Sequence, residues 1–597
     1  KLGLESSELD ERFCLGLEGS NLSRAMVRFD QFFRLATGLR HNPYPYQCRL
    51  ACGPPPPGAN QDMVHPDAAT QAWLQAGSPC VSTLITVPTG LGKTAAAVLA
   101  WLWNRLRSLQ SPHRDSETQT QLPTWPRRLV YCLPMRALVE QTADQVTQWL
   151  QNLRTAAVSR ELDLSEQALS ELLWLAGSDG LGESQVSSLR SEIHFDLGKA
   201  HSPIILMGGE EVDLARCDWD LFPEKPAILI GTQDMLLSRA LNRGYGMSRY
   251  RWPMHFALLN NDCLWVMDET QLMGVGLETS AQLDAFRAAL RTVNPCVTWW
   301  MSATLDEARL ATVDHPQPAG GWPTVALDEA DLKLPAVKAR FRATKTIQPA
   351  GLSLSDATKK TYAAQLARFV VEHHHPDSLT LVVLNRVDRA QEVYQQVKEL
   401  HPEATLALIH SRFRPGDRRA HEAVLRDEGS RIVIATQAVE AGVDVSAHTL
   451  ITELAPWPSL VQRFGRCNRH GEFQDGQARI FWVDVQTDAN DDLAAPYTAD
   501  ELASARTALE TLHDASPQSL RAVSIAQPEV IRPVLRRKDL IELFDTTPDL
   551  AGHDLDISRY IRDGEDTDVQ VFWRDLGGAA PTPQEPQPTP DELCPVS

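Results

Sequence analysis

Three short stretches of this sequence carry the residue types that handle a triphosphate. The first, ITVPTGLGKTAAAVLAWLW (85–103), sets a β-run before a glycine-containing loop and an alanine-rich helix. Backbone N–H groups from Thr89 to Lys93, with Gly90 and Gly92 between them, would wrap phosphate oxygens; Lys93 would reach the β and γ oxygens, and the Thr94 hydroxyl would ligate Mg²⁺. Val87 stands where the full GxxxxGK[ST] pattern has its first glycine. The second stretch, LWVMDETQ (264–271), is a hydrophobic strand ending in two carboxylates. Asp268 would hold Mg²⁺ through water, and Glu269 would orient or deprotonate the attacking water, because phosphoryl transfer depends mainly on positioning and charge stabilisation. The third joins IVIATQAVEAGVDV (432–445) to LVQRFGRCNRHGE (460–472), where Arg463, Arg466 and Arg469 recur at spacing three. That spacing predicts one helical face. An arginine finger from such a face would be worth roughly 10³ to 10⁵ in rate. With the finger on one lobe and the phosphate loop on another, hydrolysis requires closure, which is how nucleotide binding becomes movement.

Elements must hold these groups in place. From Ser82 to Val483, short apolar runs alternate with helical stretches, the pattern of parallel sheets with crossover helices, and two sheets are needed. The first is expected to use Ser82–Val87, Arg128–Leu133, Ala227–Ile230, Cys263–Met267 and Cys296–Met301. The second is expected to use Leu379–Leu384, Thr405–Ile409, Arg431–Ala435, Leu450–Glu453 and Ala478–Val483. HPQPAGGWP (315–323) reads as a linker or surface loop, and residues 107–127 as a solvated loop. The expected division is a lead-in over 1–43, a first lobe over 44–325 with a helical insertion at about 145–200, and a linker over 326–350. A second lobe over 351–485, a mixed α/β accessory region over 486–576 and a Pro-rich disordered tail over 577–597 complete it.

Composition narrows the class. A length of 597 residues suggests several domains, and 43% hydrophobic with 22% charged residues is ordinary for a globular chain. No run approaches the roughly 18 apolar residues of a membrane span. The acidic start KLGLESSELDER has no apolar core to act as a secretory signal, and it lacks an initial Met, as a fragment would. Ten cysteines without a CxxC pair suggest reduced thiols and a cytoplasmic location. A net charge of -20 excludes coating of nucleic acid by bulk attraction, so any strand path must be locally basic. The 11 lysines against 46 arginines suit bidentate phosphate contacts, as they also suit a GC-rich genome.

In order and spacing the motifs resemble those of superfamily 2 helicases over roughly residues 44–470. The resemblance implies two tandem RecA-like lobes, ATP and Mg²⁺ as cofactors, and a nucleic-acid strand as track. By that similarity Gln47 of YPYQ is an adenine reader. Pro134 and Arg136, Gly208 and Gly209, and Thr232 and Gln233 would line the strand on the first lobe. On the second lobe Asn385, Arg412 and Thr436 would face the strand, while Gly442, Asp444, Gln462, Arg466 and Arg469 face the nucleotide. Gln271, Ser302 and Thr304 would couple hydrolysis to movement. Gln271 departs from the more usual His or Asp at the end of its box and leaves the magnesium and water roles untouched.

DETQLM, IHSRFRPGDR, ATQAVEAGVDV and SLVQRFGRCNRHGE further resemble the helicase of type I CRISPR interference. VLRRKDLIELFDTTPDLAGHDLDISRYIRD resembles the accessory domain of the subtype whose nuclease domain follows the helicase. The resemblance implies ATP-dependent 3′ to 5′ translocation on single-stranded DNA, engaged when an RNA-guided surveillance complex has opened a duplex. It also implies delivery of the strand to a nuclease domain or subunit. That nuclease's cluster of His and Asp ligands is not recognised here, since His513-Asp514 and His553-Asp554 lack further His pairs. His373, His374 and His375 are adjacent, point in different directions and read as a helix end before Pro376. An ATP-gated clamp that does not travel, and a general RNA helicase, share most of these motifs.

Overall fold

The computed structural model describes residues 26–110, 125–177, 200–208, 217–303, 307–400, 404–440, 442–474, 476–486, 492–523, 525, 531–545, 555–562, 569–572, 574, 588–589 and 592–596. Among these residues two parallel sheets form. The first contains β1 (Thr83–Thr86), β2 (Arg128–Leu133), β3 (Ile204–Leu206), β4 (Ala227–Thr232), β5 (Cys263–Asp268), β6 (Cys296–Ser302) and β7 (Thr324–Ala326), in the order β3-β4-β2-β5-β6-β1-β7. The second contains β8 (Thr346–Leu354), β9 (Leu379–Val383), β10 (Thr405–Ile409), β11 (Arg431–Ala435), β12 (Thr449–Glu453) and β13 (Arg479–Val485), in the order β10-β11-β9-β12-β13-β8. These are two doubly wound α/β lobes of the RecA-like kind.

Central strands covered on both faces need apolar residues at every position, and β2, β4 and β5 are buried throughout. Alternation then divides them. Leu129, Tyr131, Leu133, Leu264 and Val266 join the core packed by the Lys93–Gln110 helix, while Val130, Cys132, Cys263, Trp265 and Met267 join the core on the opposite face. Each parallel strand hands its chain to a loop at the same sheet edge, and that shared edge collects the ends of β1, β5 and β6.

Three departures from the sequence expectations have physical causes. The stretch 326–350 is not one linker: β7 ends at Ala326 and pairs with β1, β8 begins at Thr346 and pairs with β13, and only the residues between them cross from lobe to lobe. The expected insertion begins as the Arg136–Val158 helix directly after β2 and continues in the Glu166–Ala176 helix, so its first part is the crossover of the fold. Residues 486–576 serve two cores. Leu502, Ala505 and Leu509 pack on the second lobe, whereas Leu535, Leu540, Leu543, Tyr560 and Ile561 return to the first. The Lys93–Gln110 helix runs into the stretch expected as a solvated loop, whose residues 111–124 lie outside the described set, as do His553, Asp554 and most of the tail. Among the described residues no helix is long and apolar enough to cross a membrane.

Candidate active site

The phosphate loop leaves β1 and turns into the Lys93–Gln110 helix with Gly90 at φ 82° and Gly92 at φ 76°, a region glycine enters without strain. The turn is also crowded. A Cβ on Gly92 would stand 3.0 Å from Gln47 Nε2, which donates to the Gly92 carbonyl at 3.1 Å. Gln47 Oε1 accepts from the Tyr44 backbone, and the Tyr46 hydroxyl donates to the Leu91 carbonyl at 2.6 Å. The YPYQ segment therefore braces the loop directly.

Lys93 is the informative side chain. Its ammonium is buried, makes no hydrogen bond and lies 3.5 Å from Glu269 Oε1. A buried cation whose nearest acceptor stands at 3.5 Å keeps hydrogen-bonding capacity that an incoming phosphate would satisfy. Thr94 follows in the first turn of the same helix, and Tyr131 stands buried on the strand beneath it. Tyr131 in turn donates to Asp268 Oδ2 at 2.7 Å, and the Glu269 amide donates to Asp268 Oδ1 at 2.9 Å. Burial raises the Asp268 carboxyl to about 6 against the pull of Lys93, with Glu269 adding to the rise. Glu269 sits at φ 53° and ψ 47°, a left-handed conformation that costs a residue with a Cβ of order 1–3 kcal/mol and that over-determining contacts must hold. Those contacts are present. Burial works to raise its carboxyl, but Lys93, the Gln271 amide and Arg466 together hold it below the ordinary glutamate range. Gln271 Nε2 donates to Glu269 Oε2 at 2.5 Å while its Oε1 accepts from Ser302 Oγ at 2.6 Å, so one amide links the end of β5 to the end of β6. Thr304 lies outside the described residues.

The second lobe faces this arrangement. Gln462 Nε2 donates to Glu269 Oε2 at 3.5 Å. A Cβ on Gly90 would stand 3.6 Å from Arg469 Cζ, and a Cβ on Gly465 would stand 3.3 Å from the Thr89 hydroxyl. Arg469 Nε pairs with Asp444 at 2.6 Å, and its Nη1 is buried without a hydrogen bond. Arg466 donates to the Val439 and Glu440 carbonyls at 3.1 and 2.6 Å, and burial followed by Arg469 pushes its guanidinium down to about 9.

The expectation that Arg463, Arg466 and Arg469 share one helical face does not hold. The Trp457–Phe464 helix stops at Gly465, and Asn468 at φ 42° turns the chain again, so the three arginines diverge. Arg463 points inward. It is fully buried against Glu440 at 2.7 Å and also donates to Thr452, the Glu453 carbonyl and Asn385.

The residues expected along a strand are treated unevenly. Arg136 is exposed at the head of its helix after buried Pro134, and a Cβ on Gly208 would stand 3.2 Å from Arg136 Nη2, so these come together. Gly209 is outside the described residues. Arg412 is exposed on the second lobe and Thr436 is buried. Gln233 and Asn385 are turned inward, contrary to expectation. Gln233, beside buried Thr232, donates to the Ile561 carbonyl of the returning C-terminal segment, and Asn385 is held by Glu453, Leu454 and Arg463. Gly442 packs against Ala137 and Leu138 of the first lobe. His513 is exposed, and Asp514 accepts from the Lys345 backbone and from Ser516 and Ser519, which makes it a turn brace. Among the described residues no group of three or more His, Cys, Asp or Glu could hold a metal ion.

Two residues of the cleft escape sequence reasoning. Arg340, on the Pro335–Phe341 helix between the lobes, donates to the Gly90 carbonyl at 2.7 Å, and nothing in KARFR marks it. Tyr131 does leave a trace, as the one hydroxyl in the apolar run RLVYCL.

Comparison with known proteins follows the same two lobes. The family described as DEAD/DEAH box helicase matches residues 67–179, and the family described as CRISPR-associated nuclease/helicase Cas3, C-terminal, matches residues 376–472. The CRISPR-associated endonuclease/helicase Cas3 of Escherichia coli K12 is 36% identical over 134 residues, which is 21% of this chain and 15% of that protein. The CRISPR-associated helicase Cas3 of Thermoproteus tenax is 32% identical over 136 residues, 22% of each. The solved structure of T. fusca Cas3 with AMPPNP superposes with a TM-score of 0.53 at 16% identity, covering 95% of this chain and 65% of that one. The form titled Cas3-ATP gives 0.51, covering 88% and 54%. The chain thus spans about half to two thirds of those solved structures and under a quarter of those curated relatives.

Proposed function

We propose that this chain, which is similar to CRISPR-associated Cas3 helicases, is an ATP-hydrolysing motor that moves 3′ to 5′ along single-stranded DNA. It would act after an RNA-guided surveillance complex has opened its target, and would deliver the strand to a nuclease domain or subunit. The observation that carries the motor reading is convergence: Lys93 and Glu269 on one lobe meet Gln462, Arg466 and Arg469 on the other across a single cleft.

The residues fit a magnesium nucleotide. Thr89 to Lys93 would cradle its phosphates, Thr94 and Asp268 would hold the ion, and the bound ion would supply charge neutralisation between phosphoryl oxygens. Lys93 carries the buried positive charge that a phosphate needs. Glu269 is kept ionised below the ordinary range, which leaves it able to accept a proton from, or align, the attacking water. Arg466 and Arg469 bring further charge only when the lobes stand together. Gln271 touches both Glu269 and the end of β6, so a change at the carboxylate is passed to Ser302. Exposed Arg136 and Arg412 are the proposed strand contacts, and phosphate contacts of this sort hold any sequence.

A strand-displacement assay with 3′-tailed and 5′-tailed DNA duplexes tests the proposal. Displacement from the 3′ tail with ATP, abolished in Lys93→Ala together with about 10²-fold or more of the ATP turnover, is the expected result. Nucleotide-dependent retention without displacement would replace the motor by a clamp, and turnover near wild type in Lys93→Ala would remove the phosphate loop from the account.

A further inference from the structure

Tyr131 stands in the middle of β2, where the other side chains facing the same core are leucines. A strand covered on both faces ordinarily carries aliphatic residues there, because a buried phenol must find a partner for its hydroxyl. This one finds Asp268. In the parallel register Tyr131 lies opposite Val266, and Val266 and Asp268 project to the face that Tyr131 shares, toward the Lys93–Gln110 helix. The hydroxyl therefore reaches past the strand end to Asp268 Oδ2 at 2.7 Å. A phenol has one proton, and here it is committed to the carboxylate.

We propose that Tyr131 is a positioning residue for the metal site, orienting the Asp268 carboxylate through its hydroxyl. The inference rests on reading the cleft as a magnesium nucleotide site. The phenol fixes Asp268 by one oxygen while the Glu269 amide fixes it by the other, so the carboxylate is oriented at both ends and each oxygen retains a lone pair. Outer partners that orient metal-holding groups in this way are worth about tenfold or more in affinity for the metal.

The test uses the full chain and a fluorescent ADP analogue whose binding is followed while Mg²⁺ is titrated. Tyr131→Phe keeps the ring and its packing, which thermal unfolding verifies. The expected result is unchanged affinity for the analogue without metal, and about a tenfold rise in the Mg²⁺ concentration that gives half of the metal-dependent gain. Superimposable Mg²⁺ curves for wild type and Tyr131→Phe overturn the proposal. If the wild type itself gains nothing from Mg²⁺, the reading of the cleft fails and takes this inference with it.

Discussion

The two walls of the cleft present charge in different ways. On the first-lobe wall the acids are fastened before any ligand arrives: Asp268 by Tyr131 and the Glu269 amide, Glu269 by Gln271 and by a left-handed backbone, Gln271 by Ser302. On the second-lobe wall one short segment supplies three arginines in three conditions. Arg463 is spent on the interior, Arg466 on two carbonyls, and Arg469 retains a buried Nη1 without a bond, close to the phosphate loop. Preorganised groups cost nothing to arrange at the moment of reaction, whereas a charge that arrives with a moving lobe makes reaction conditional on the motion. On the proposed reading one wall serves chemistry and the other control.

The contrast breaks most visibly at Arg469. Arg469→Ala should retain nucleotide binding and lose about 10³-fold in ATP turnover, because a finger acts on the transition state; unchanged turnover would leave the second wall without control. Arg463→Ala should do the opposite. Removing it strands buried Glu440, at about 3–5 kcal/mol, so denaturant unfolding should report a large stability loss. Stability equal to wild type would mean that Arg463 is not the structural member of the set. On the first wall Gln271→Ala should leave turnover within about threefold while strands displaced per ATP fall about tenfold. A parallel fall in both would make Gln271 part of the hydrolytic site instead of a link from it.

The smallest effect lies at the rim of the second lobe. His410 is buried and stacked on Phe413, and burial, then Arg412 and His421, lower its imidazole from 6.5 to about 4. The unfolded chain therefore binds the proton more readily, and the contribution to stability present above pH 6.5 is lost as pH falls through about 4. His410→Phe should keep the ring packing and remove that loss, flattening the fall in Tm across this window by about 2–4 °C. Identical pH profiles would assign the acid sensitivity elsewhere.

What could be read in advance divides along the same line. Lys93, Asp268 and Glu269 were legible because strand, loop and helix are adjacent in the chain, so local order fixes their place. Spacing three fits a helical face for the arginines, but the stop at Gly465 and the turn at Asn468 obey contacts made elsewhere, such as the bridge from Cys467 to Ala447. Gln233 resisted reading for a different reason: its partner, the Ile561 carbonyl, lies 328 residues away. Edge strands β3 and β7 are three residues long, too short for any period to show.

Among the described residues the chain crosses to the second lobe before β8 and, after Leu520 packs there, is back on the first lobe at Leu535. Repeated crossings of this kind resist sliding or spinning of one body against the other. On the proposed motor reading the lobes would therefore swing, and a slight tightening around a phosphate would become a longer sweep farther from the cleft.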